Sequence, residues 1–193
     1  MSNHQVENLN QVILINTPKM TIELYENGKC IQTFHELYFG KNGCTSHKQE
    51  GDMCTPKGEF QLGFAFGTES LETTYPYYKL KDNIYWVSDP NSEYYNEWVE
   101  VTDKKITPTY SYMKTAPHIS WSSAEHLSEY PIQYELALVI EYNISPKKKN
   151  AGSAIFFHVK KGEYTAGCIA TTKENQIKIL NWLEKGKAKI IIQ

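Results

Sequence analysis

The chain contains no arginine; all 20 of its Lys+Arg residues are lysines. No bidentate guanidinium clamp is therefore available, and any bound carboxylate must be met by ammonium, hydroxyl or backbone N–H groups. The one basic run, "PKKKN" at 146–150, is short, and no basic stripe carries interleaved aromatics. It reads as a solvated loop tip, and nucleic acid is not an expected partner. Long apolar runs are missing too. Nothing approaches the roughly 18 consecutive apolar residues of a membrane span. The opening "MSNHQVENLNQ" is polar and lacks the apolar core of a secretory leader. Either the protein stays inside the cell or the chain lacks its leader. Cysteine is sparse, at positions 30, 44, 54 and 168, with no C-x-x-C spacing. A structural zinc site is not expected, nor is any other cofactor. Cys44 and Cys54 can pair across a loop in an oxidising compartment, but free thiols are the default reading, Cys30 included.

What the chain does have is length for a real core and a surplus of aromatics, 14 Tyr, 7 Phe and 4 Trp among 193 residues. Tyrosine in such number suits sheet faces or the wall of a polymer-binding groove. Residues 1–10 are expected to be a flexible N-terminus and 11–193 a single domain. "QVILIN" (11–16) and "MTIELYENGKCIQTFHELY" (20–38) read as strands, with Asn27-Gly28 as a hairpin turn. "EGDMCTPKGEFQLGFAFG" (50–67) is a loop leading into a strand, with Pro56 placed for a turn and Gly58 near its end. "NIYWVSDP" (83–90) is a further strand. Residues 91–131 read as long irregular loops with short helices. "YELALVIEYN" (134–143) and "SAIFFHV" (153–159) read as central strands, and "AKIIIQ" closes the chain as another. One helix follows Cys168: Thr171 and Glu174 have capping-box spacing, and Ile177, Leu180 and Leu183 share a face. At least seven strands and one helix predict a mostly-β domain of sandwich or barrel character.

The chemistry gathers in "IFFHV" and "YTAGCIAT". His158 ends an apolar strand, and Cys168 follows a short excursion and precedes the helix. Strand, turn and helix start can bring thiol and imidazole together. The imidazole and a helix N-terminus would both favour a thiolate nucleophile. Gly167 allows a close backbone approach, and the N–H groups of Gly167 and Cys168 would form an oxyanion hole. Ala166 and Ala170 leave room for an acyl group. Each residue alone also has an ordinary reading, as a buried thiol or a satisfied core histidine.

Together these residues resemble the L,D-transpeptidase catalytic domain, also called YkuD-type. The family pattern is a His, a variable loop, then Ser/Thr-His-Gly-Cys, often with Arg two residues later. Here it falls on His158, Thr165, Ala166, Gly167 and Cys168. Ala166 replaces the second His, and Ala170 replaces the Arg. "EGDMCTPKGEF" resembles the family's "EGD-x-x-TP-x-G-x-F". "SDPNSEYYNEWV" and "IEYNISPKKKNAGSAIFFHV" resemble a branch whose motif reads Thr-Ala-Gly-Cys. The resemblance runs from about residue 10 to the end. It implies a β-sandwich-like fold, peptidoglycan tetrapeptide stems as the partner, and action at the cell wall, outside the cytoplasm. Cys168 would attack the carbonyl before a terminal D-Ala and form a thioester, with His158 as base. Thr165 is a candidate for orienting the imidazole by its hydroxyl or carbonyl. In place of the family's Arg, Lys57 and Lys160, with Lys161, are the candidate anion partners beside Ala166.

Other readings stay open at this stage. Water in place of an acceptor amine makes the protein an L,D-carboxypeptidase. A non-catalytic wall-binding domain would use its aromatics and leave Cys168 inert. "SPKK" (145–148) matches Ser-x-x-Lys, but no accompanying Ser-Asp-Asn or Lys-Thr-Gly element is present. "HELYF" (35–39) lacks the second His of a zinc-protease motif. His47, Glu50 and Asp52 could together hold a metal, although a polar loop is the simpler account.

Overall fold

The computed structural model describes residues 10–193; of the expected flexible 1–10 segment, residues 1–9 lie outside the described residues. The main sheet runs, edge to edge, through Ile169–Thr171, Phe156–Val159, Ala137–Ile140, Gly58–Gly67, Ala188–Ile192, Gln11–Asn16, Thr21–Glu26 and Lys29–Phe34. Three pairs are parallel: Gln11–Asn16 with Ala188–Ile192, Phe156–Val159 with Ile169–Thr171, and Gly58–Gly67 with Tyr77–Lys79, a ninth strand that lies off this order. The expected hairpin is present. Asn27 and Gly28 have φ of 50° and 77°, both left-handed, as a two-residue turn matching strand twist requires. A second sheet orders Met113–Ala116, Trp98–Val101, Ile84–Val87 and Ala124–His126. The fold is mostly β, as expected.

The stretch 91–131 departs from its reading as irregular loops. It supplies three of the four strands of the second sheet. These strands are three or four residues long, too short for alternation to show, and they close on buried aromatics. Pro56 also differs: it is buried and extended, in a two-residue parallel pairing of Thr55–Pro56 with Cys44–Thr45.

Two cores result. One packs Ile13, Ile15, Ile22, Leu138, Phe157, Ile179, Leu180 and Leu183 between the main sheet and the helix Lys173–Trp182. The other is aromatic and lies beneath the site. Phe156 meets Trp86, Phe66 and Tyr134 edge-on, at centroid distances of 4.9, 5.3 and 5.5 Å. Such edge-to-face contacts add to area burial and fix ring orientation. Asn96, almost fully buried, ties the sheets together. It accepts from Trp86 Nε1 at 2.8 Å and Ala154 N at 3.1 Å, and donates to Tyr142 O and Asn143 O. The segment entering the Phe156–Val159 strand is thereby held in place.

Candidate active site

Cys168 sits on a turn clasped from two sides. Thr165 Oγ1 donates to Cys168 O at 2.7 Å and accepts from Gly167 N at 3.1 Å. From the "EGDMCTP" loop, fully buried Thr55 donates to Gly167 O at 2.8 Å and accepts from Gly40 N at 2.9 Å. Gly167 has φ of +144°, and a Cβ there would stand 2.9 Å from Cys54 O. Only glycine suits both the angle and the space. The loop resembling the family's "EGD-x-x-TP" stretch is thus a cradle under Cys168. Asp52 organises it, accepting from Gln49 N, Cys54 N and Lys48 Nζ at 2.8, 2.9 and 2.7 Å.

The side chains of Cys168 and His158 share a face. His158 pairs with Ala170 in the parallel register, so Phe156 and Cys168 stand opposite each other two residues earlier. Residues two apart on a strand point the same way. Phe156 N donates to Cys168 Sγ at 3.3 Å, and Sγ donates to Ala154 O at 3.2 Å. Among the described residues no hydrogen bond joins Sγ to the imidazole. Burial pushes the thiol up to about 12, Glu125 adds to the rise, and the Phe156 N–H and Lys48 oppose it. Burial takes His158 the other way, down to about 4. His158 Nδ1 lies 2.8 Å from Val159 O. A carbonyl only accepts, so the ring proton sits on Nδ1 and Nε2 keeps its lone pair. The resting pair is a neutral thiol and a neutral imidazole.

Four expectations change here. The thiolate supported by a helix N-terminus is replaced by a buried thiol, because the strand Ile169–Thr171 separates Cys168 from the helix. The cap is Thr172, whose side chain accepts from Asn175 N, while Thr171 is a buried strand residue donating to Glu36 O. The imidazole is oriented by the Val159 carbonyl, and the Thr165 hydroxyl is spent on the turn. The Gly167 N–H is committed to Thr165 as well. The Cys168 N–H is left without a hydrogen-bond partner among the described residues.

Two clefts meet at the thiol. The larger, of about 610 Å³, is lined by His158, Tyr38, Tyr134, Tyr164, Lys160 and Ala170, among others. The smaller, of about 180 Å³, is lined by Lys48, Glu50, Ser88, Ser153 and Gly167, among others. Glu125, Ala166 and Cys168 line both. Ala166 is exposed at the divide between them. Lys160 and Lys161 reach the larger cleft, Lys160 donating to Tyr38 OH at 2.9 Å over that ring. Lys57 is exposed and lines neither cleft.

Lys48 lies against the Gly167–Cys168 turn. Its side chain is 4% exposed, and Nζ lies 3.4 Å from where a Gly167 Cβ would stand. Glu125 escaped the sequence reading too. Tyr134 OH donates to its Oε2, and burial pushes the carboxyl up to about 7. The only sequence signal for Lys48 is its place four residues before Asp52; for Glu125 there is none. Among the described residues, His/Cys/Asp/Glu groups form no metal-binding cluster. Glu50 is engaged by Tyr95 OH at 2.6 Å and Asp52 by Lys48. All four cysteines are free. No helix among the described residues is long and apolar enough to cross a membrane.

Comparison with known proteins completes the description. The sequence profile of the L,D-transpeptidase catalytic domain (YkuD) matches residues 10–192. No curated protein matches the chain. Among solved structures, the helical cell shape determining protein Pgp2 from Campylobacter jejuni aligns at TM-score 0.51 and 17% identity, over 95% of this chain and 47% of that one. Bd1075 from Bdellovibrio bacteriovorus aligns at TM-score 0.51 and 13% identity, over 98% and 50%. An L,D-transpeptidase from Mycobacterium smegmatis aligns at 0.43 and 11%, over 95% and 58%. The chain thus spans about half the length of these structures, and at these identities the likeness is one of fold.

Proposed function

Because the chain belongs to the L,D-transpeptidase catalytic domain family, we propose that it is a cysteine acyltransferase acting on peptidoglycan tetrapeptide stems through a thioester on Cys168. Sγ attacks the carbonyl preceding the terminal D-alanine while His158 Nε2 takes the thiol proton. The oxyanion faces the Cys168 N–H. His158 then gives its proton to the leaving nitrogen, the C–N bond breaks, and D-alanine departs. An amine on a second stem resolves the thioester, and the wall outside the cytoplasm is where such stems are found. Neutral partners suit this route: Nε2 is free to accept a proton that the thiol still holds.

The observation that carries the reading is the meeting of two clefts at one thiol. The larger has the volume of a pocket for a peptide-sized ligand, in the roughly 300–1,000 Å³ range. The smaller gives a second reactant its own approach, which favours an amine acceptor over the water of an L,D-carboxypeptidase. Intact-mass analysis after incubation with purified muropeptides tests the proposal. A thioester adduct and cross-linked product are expected, and a carbapenem should add its mass to the wild type only. His158→Ala should slow acylation at least about 10²-fold. Turnover retained in Cys168→Ala would overturn the assignment.

A further inference from the structure

The smaller cleft carries groups to which the Cys168–His158 route gives no part. Ser153 is 7% exposed, and its Oγ is buried without a hydrogen-bond partner. Lys48 Nζ donates to Asp52 Oδ1 and Gln49 O, which occupy two of an ammonium's three donors. Glu125 closes the cleft on the side of the thiol. A buried cation, an orphaned hydroxyl and a carboxyl around 180 Å³ match a small group bearing both charges. The leaving D-alanine is such a group, with its amine and carboxylate on one carbon.

We infer that this cleft is the amine-side seat of the transfer: Lys48 and Ser153 hold a carboxylate, and Glu125 exchanges a proton with the amine on the same carbon. The inference rests on Cys168 as the acyl carrier. Amide formation from the thioester is the reverse of amide cleavage, so one seat serves both directions. D-Alanine leaves from it, and the acceptor enters it as an α-amino carboxylate. In the second half-reaction the Glu125 carboxylate takes one proton from the incoming ammonium. The amine nitrogen attacks the thioester carbon, the C–S bond breaks, and the second proton reaches Sγ through His158. During departure the same protons run backwards.

The groups facing the Glu125 carboxyl support this use. Tyr134 donates to it, and Tyr130, Cys168 and Glu50 lie near enough to interact with it, while Lys48 acts on Cys168 from the loop. With burial holding Glu125 at about 7, both its protonation states are populated near neutrality.

The test separates the two half-reactions. Cys168 is first acylated with a tetrapeptide donor, confirmed by intact mass, then chased with D-alanine or ethylamine at equal free-amine concentration. The wild type should favour D-alanine at least roughly tenfold, because unmet polar groups penalise the amine that lacks a carboxylate. Ser153→Ala and Lys48→Gln should each move the ratio toward unity. Wild-type aminolysis should rise through about pH 7 as Glu125 loses its proton, and this step should vanish in Glu125→Gln. Equal rates for the two amines in the wild type, or an unchanged ratio in Ser153→Ala, would overturn the carboxylate seat. An unchanged pH profile in Glu125→Gln would overturn the proton role. If Cys168 never acylates, the functional reading falls and this inference with it; if it acylates without discrimination, only the inference falls.

Discussion

At the scale of single residues, protonation decides what Cys168 can do at rest. A low-pKa cysteine reacts quickly with any alkylating agent; a buried thiol bonded to Ala154 O does not. Iodoacetamide at neutral pH should therefore label exposed Cys30 before Cys168. Labelling of Cys168 should accelerate with rising pH toward its value of about 12. Peptide mapping by mass spectrometry would show the order, and preferential labelling of Cys168 at neutral pH would contradict a neutral resting pair. His158, Thr165, Gly167 and Cys168 were legible in the sequence because they share one short stretch with a recognisable order. Lys48 and Glu125 were not. They reach the thiol only through the cradle loop and the second sheet, and neither stands in a motif that names its chemistry.

At the scale of elements, the nucleophile turn and its cradle act as one unit. Thr55 contributes a donor to Gly167 O and an acceptor for Gly40 N, both buried. Thr55→Val keeps the shape and deletes these bonds, which should cost about 1–3 kcal/mol, read as a lower thermal midpoint. Gly167→Ala should lower the midpoint further, since its Cβ meets backbone and its φ is unfavourable for an L side chain. A midpoint unmoved by both changes would show that the turn is held by something else. The helix was legible from its apolar spacing, but its cap was off by one residue. Neighbouring threonines look alike in sequence, and the parallel pairing of Val159 with Thr171 claims the first of them for a strand. The strands of the second sheet were hidden for a related reason. Their burial depends on partners far along the chain, and a three-residue strand carries no period of its own.

At the scale of the whole molecule, two buried groups set opposing slopes of stability against pH. The unfolded chain protonates His158 near 6.5 and the folded chain only near 4. Stability from this residue therefore falls as pH drops between those values, by up to about 3 kcal/mol. Glu125 has the opposite sign. Its folded value of about 7 lies above its ordinary 4.5, so its contribution grows as pH falls through the same window. The wild type should show a shallow profile there, and Glu125→Gln should uncover the steeper acid-side loss due to His158. Urea unfolding at stepped pH would measure both, and parallel profiles would refute the compensation. The mostly-β class was legible at this scale from the strand count. The order of the strands was not, because pairing is set by contacts that no local pattern records.

That order has a temporal side. The strand Ala188–Ile192 lies in the middle of the main sheet, between Gly58–Gly67 and Gln11–Asn16. Among the described strands it follows in sequence every strand that it joins. Until it emerges, the hairpin that begins at Gln11 and the strands that carry the thiol and imidazole have no backbone hydrogen bonds joining them through the sheet. Long-range pairing of this kind is slow to form and comes late. A nascent chain therefore carries a complete Cys–His pair in sequence long before the sheet that aligns it can close.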